Sequence, residues 1–165
     1  MIDITLFDDD SLEAHENVGS TPLHLAARCD DATITKALLD NGDDVDARDE
    51  TGKTPLHWAA DNAIIAGLLL TYCANPNAQD NNGNTPLHWA VMNNNFDTVV
   101  LLLEYGADVN ARDSDDNTPL HLSLGCNEIS KLLLRCGADP YACNYAGRMP
   151  LQATNETMLG SSITA

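Results

Sequence analysis

Four histidines, His24, His57, His88 and His121, recur at spacings of 33, 31 and 33 residues and are the first candidates for chemistry. A zinc site needs several such ligands converging on one ion. Side chains that return once per period stand side by side along a stack instead, so a hydrogen-bonding role is expected and no metal. Acidic clusters at Asp8-Asp9-Asp10, at Asp43-Asp44 and at Asp113, Asp115 and Asp116 lack the spaced acids and closing glutamate of a calcium loop. No serine elbow, phosphate-cradling glycine loop or His-Glu-x-x-His helix occurs. No catalytic residue, cofactor or enzymatic activity is therefore expected. The cysteines (Cys29, Cys73, Cys126, Cys136 and Cys143) are odd in number and include no C-x-x-C pair. Reduced thiols in a cytoplasmic compartment are the expectation.

Composition narrows the classes further. The 165 residues carry 25 acids against 8 bases, a formal charge of -17. Duplex nucleic acid, which is held by lysine and arginine on phosphates, is excluded as a partner. Adsorption to anionic lipid is disfavoured for the same reason, and no apolar run approaches a membrane span. The opening MIDITLFDDD has neither the basic stretch nor the apolar stretch of a secretory leader. Apolar residues reach 44% but aromatics only 5%, so the core must be aliphatic.

The elements that position the histidines are repeats. TPLH begins at Thr21, Thr54, Thr85 and Thr118, and a degenerate MPLQ begins at Met149. Proline fits the first turn of a helix, where its missing N–H would be unpaired anyway, and the threonine before it is a natural N-cap. Leu56, Ala59 and Ala60 then form a narrow stripe of small apolar residues. Leucine-rich second helices follow, around Leu38-Leu39, Leu68-Leu69-Leu70, Leu101-Leu102-Leu103 and Leu132-Leu133-Leu134, and Gly42, Gly106 and Gly137 close three of them. The period and the TPLH-x-A motif resemble the ankyrin repeat. The resemblance implies an all-α solenoid of stacked helix-turn-helix units joined by β-turn hairpin loops. It places four repeats at 21–53, 54–84, 85–117 and 118–148, an acidic half-repeat cap at 1–20 and a degenerate capping repeat at 149–165.

Departures from the pattern carry their own expectations. Asp30-Asp31 and Asn94-Asn95 have no counterpart in the second and fourth repeats, which should join their helices by a tighter turn. Cys73 stands where the other repeats place glycine, a position of left-handed backbone, and Asp116 replaces a turn glycine. Trp58 and Trp89 follow the motif histidine and are expected beside the core stripe, as packing residues.

Function enters through the resemblance. Ankyrin repeats bind protein partners on a concave face made of first helices and hairpin tips, which implies a non-catalytic, monomeric binding module: an adaptor, an inhibitor or a host-directed effector acting in a host cytosol. The alternative is a regulatory domain cut from a larger enzyme or channel. By position the implied face comprises Arg28, Arg48, Lys53, Asp61, Asn62, Gln79, Asn82, Met92, Asn93, Arg112, Asp115, Tyr145 and Arg148. Five of the 8 bases belong to it, and Arg48, Lys53 and Arg112 would form a positive line on an acidic molecule. The resemblance also implies Asn110, preceded by Leu102, Asp108 and Val109, as a candidate for side-chain hydroxylation. Asn77 fits that context poorly, and for both a turn-stabilising role is the simpler expectation.

Overall fold

The computed structural model describes residues 19–123 and 127–150. The two terminal caps expected at 1–20 and 149–165 lie almost wholly outside the described residues. Among the described residues, eight helices alternate in two rows. The first row holds α1 (Pro22–Arg28), α3 (Pro55–Trp58), α5 (Pro86–Met92) and α7 (Pro119–Leu122). The second holds α2 (Ala32–Asp40), α4 (Ala63–Thr71), α6 (Phe96–Glu104) and α8 (Asn127–Arg135). Each helix packs on its partner in the repeat and on its counterpart in the next, and no strand forms among the described residues.

Local sequence explains both ends of these helices. Every first helix starts at a Thr N-cap followed by proline, with histidine at the third position completing a reciprocal capping box. Asp31, Asn62 and Asn95 cap α2, α4 and α6 by accepting from backbone N–H groups of the first turn. The second helices end in one recurrent turn, in which the N–H two residues past the C-cap reaches back to the helix. Ala107 N–H meets the Leu102 carbonyl at 2.9 Å, and Ala74, Ala138 and Asp43 repeat the bond. The residue inside that turn is left-handed, with φ of +85° at Gly106 and +66° at Cys73.

The two-residue difference between long and short repeats has a specific cause. In the first and third repeats, Asp30 and Asn94 are left-handed (φ of 56° and 54°) and close α1 and α5 with the same turn, the next residue then capping the following helix. The second repeat has no such turn. There α3 stops after 4 residues, and Asn62 N–H bonds the Ala59 carbonyl at 3.0 Å, a tighter connection.

The core is a continuous aliphatic seam between the rows. Leu23, Leu56, Leu87 and Leu120 contribute from the first helices, and Ile65, Leu69, Val99, Leu102, Ile129 and Leu133 from the second, all essentially without solvent exposure. Alanines at 59, 60, 66 and 90 let neighbouring helices approach closely. Ala59 and Ala60 stay buried even though α3 ends before them.

Candidate functional site

Each motif histidine fastens its own repeat to the next. Thr54 N–H lies 3.0 Å from His57 Nδ1, and an N–H can only donate, so Nδ1 carries no proton. Nε2 therefore holds the hydrogen and donates it to the Asn84 carbonyl at 3.0 Å. His24, His88 and His121 do the same toward the carbonyls of Lys53, Asn117 and Arg148. Burial drives His57 down to about 4 from the usual 6.5, although the carbonyl of Asn84 and the charge of Asp80 oppose the fall. Burial lowers His24 and His88 as well. Both ring nitrogens of all four are occupied, which leaves none to ligate a metal. No group of three His, Cys, Asp or Glu side chains is placed to hold an ion among the described residues.

Between histidines run the hairpin loops, which are also joined across repeats. Asn81 N–H donates to Thr51, Ser114 N–H to Asn82 and Tyr145 N–H to Asp115, at 2.9, 2.8 and 2.8 Å. Gly52 is required here: its φ is +77°, and a Cβ would fall 2.3 Å from Asn81 Oδ1. Asp49, Asp80 and Asp113 organise the loops, Oδ1 of each accepting from the backbone two and four residues on. At Asp49, burial pushes the carboxyl up, but hydrogen bonds from Thr51, Trp58 and the backbone outweigh it and hold it below the ordinary range.

Those aspartates hold the tryptophans. Trp58 Nε1–H donates to Asp49 Oδ2 and Trp89 Nε1–H to Asp80 Oδ2, both at 3.0 Å. One edge of each ring packs on the core, as expected, but the rings are only half-buried and their faces carry cations. The Arg28 guanidinium lies 5.6 Å from the Trp58 centroid, and the Lys53 ammonium lies 5.7 Å from Trp58 and 3.9 Å from Trp89. Sequence reasoning missed this arrangement. Its signal was the identical nine-residue spacing of Asp49 to Trp58 and Asp80 to Trp89. In the next repeat Leu122 stands in the tryptophan's place, and Asp113 Oδ2 accepts from Asn117 instead.

The remaining expected site residues divide into two groups. Arg48, Gln79 and Arg112 occupy one position in successive repeats and donate along the stack, to the carbonyls of Gln79, Arg112 and Cys143 at 2.6, 3.1 and 3.1 Å. Arg48 and Arg112 are exposed but tethered through these bonds, keeping their charge, and Arg112 also sits 3.7 Å from Asp116. Asn62 is a helix cap, and the Asp61 carbonyl accepts from Asn95. By contrast Asn82, Met92, Asn93, Asp115, Tyr145 and Arg148 present exposed side chains along the first-helix and loop edge, Tyr145 at 86%. Asn110 bridges repeats through both ends of its amide, donating to Gly137 and accepting from Asp139 N–H. Asn77 does likewise with Gly106 and Asp108.

A comparison with the curated proteins finds no match. The family model for ankyrin repeats matches residues 4–80 and 61–144, well over half of the chain. Repeats of this kind generally mediate protein–protein interaction. With the period, the paired helices and the histidine fastening described above, the chain belongs to the ankyrin repeat family.

Proposed function

We propose that this chain is a non-catalytic binding module that engages a protein partner on the face formed by its first helices and hairpin loops. One observation carries the reading. The loop and first-helix edge presents a row of different, exposed side chains on a backbone joined from repeat to repeat. Asn82, Met92, Asn93, Asp115, Tyr145 and Arg148 are exposed there, on a backbone fixed by the loop-to-loop hydrogen bonds. A rigid backbone lowers the ordering cost of binding. The exposed thiols of Cys29, Cys73, Cys136 and Cys143 are not joined in disulfides, which is compatible with a reducing setting.

Pull-down from cytosol tests the reading. The double variant Met92→Arg/Asn93→Arg should lose the captured partner, and Ile64→Arg, on the exposed start of α4, should retain it. Loss with the second variant alone would place the partner on the opposite face.

A further inference from the structure

Trp58 and Trp89 are the chain's two tryptophans, and they stand on adjoining repeats with one ammonium between them. Lys53 is half-buried, its Nζ 3.9 Å from the Trp89 centroid. The ion pairs among the described residues are Lys36–Asp40, Arg112–Asp116 and Lys131–Glu128, and Lys53 is in none of them. That is notable in a chain with 25 acids and 8 bases. The carboxylates of Asp49 and Asp80 are engaged, Oδ2 with the indole N–H groups and Oδ1 with backbone N–H groups of the loops. An indole face attracts a cation but does not neutralise it. The ammonium thus lies against the two indoles and outside the ion pairs of the described residues.

We propose that this strip receives an extended acidic segment of the partner, with a carboxylate seated on Lys53 and an adjacent apolar side chain against the solvent-accessible part of the half-buried indoles. The proposal rests on the reading that partners bind the first-helix and loop face, and it adds the chemistry of what binds there. Arg28, over Trp58, extends the same strip by one repeat. A local cation on a molecule of net charge -17 also orients the encounter of an acidic segment.

Random displayed peptides are to be selected against the full chain. The enriched sequences are then titrated against the wild type, Lys53→Met and Lys53→Arg, with tryptophan emission as the readout and circular dichroism as the check on folding. Lys53→Met keeps an unbranched stem on the indoles and removes only the charge. Enriched peptides should carry Asp or Glu beside an apolar residue and change the emission of Trp58 and Trp89. They should bind Lys53→Met about tenfold more weakly, and Lys53→Arg as the wild type. Basic or uncharged sequences, equal binding to Lys53→Met, or no enrichment would overturn the proposal. Peptides that respond to Met92→Arg/Asn93→Arg but not to Lys53→Met sink the acidic segment alone. Peptides that respond only to Ile64→Arg sink the binding face itself.

Discussion

Cys73 holds a φ of +66° where Gly42, Gly106 and Gly137 hold the equivalent turn. A side chain in that region costs roughly 1 kcal/mol, because Cβ crowds the following carbonyl. The thiol is exposed, so removing it forfeits no packing. Cys73→Gly should raise stability by about 0.5–1 kcal/mol in urea unfolding. A loss would mean the thiol makes a contact that matters. Thr98 shows the opposite situation, a polar group inside the seam. It is fully buried, its hydroxyl has no hydrogen-bond partner, and the matching positions hold Ile65 and Ile129. Thr98→Val keeps the shape and removes the orphaned oxygen, so a gain of about 1 kcal/mol is expected. An unchanged midpoint would show that the hydroxyl is satisfied in solution.

At the scale of elements, the threonine–histidine cap is the joint between repeats, and it functions only with a neutral ring. The unfolded His57 takes up a proton near 6.5, the folded one only at about 4. Its contribution is therefore complete above 6.5 and is lost as pH falls from there toward 4. At about 1.4 kcal/mol per pH unit, the loss is on the order of 3 kcal/mol. His24 and His88 act in the same direction. Imidazole resonances of the folded protein should show His57 still neutral at pH 5, while the unfolding midpoint drops between pH 7 and pH 5. Ordinary titration of His57 would contradict the joint. A second joint is the chain of donors at Arg48, Gln79 and Arg112. Because Gln79 makes the same bond without a charge, Arg48→Gln/Arg112→Gln should leave stability within about 0.5 kcal/mol of the wild type. Arg48→Glu/Arg112→Glu, which cannot donate, should lose about 1–2 kcal/mol. Equal stability of the two pairs would mean that these bonds do not hold the stack.

These joints also mark what was legible in the sequence. The Thr-Pro start, the left-handed Cys73 and the tighter second repeat follow from local sterics, so four letters or one missing glycine announce them. The charges of Arg48 and Arg112 are visible in a sequence, but the carbonyls one repeat away that tether them are not. Trp58 and Trp89 read as packing because apolar periodicity locates a ring beside the core. It does not reveal which cation lies on the ring's open face, since Lys53 meets Trp89 only after stacking.

At the scale of the whole molecule, the aliphatic seam and the two fastened rows support the loop and first-helix edge on which partner binding is proposed. Acids are spread over both sides: Glu50, Asp61 and Asp115 are exposed on the loop and first-helix edge, and Asp40, Glu104 and Glu128 on the second-helix row. Carboxyl labelling of the chain, alone and with a captured protein partner, therefore reads the binding face directly. Glu50, Asp61 and Asp115 should be protected in the complex while Asp40, Glu104 and Glu128 label as in the free chain. Protection of Asp40, Glu104 and Glu128, with the first three unchanged, would contradict the binding face.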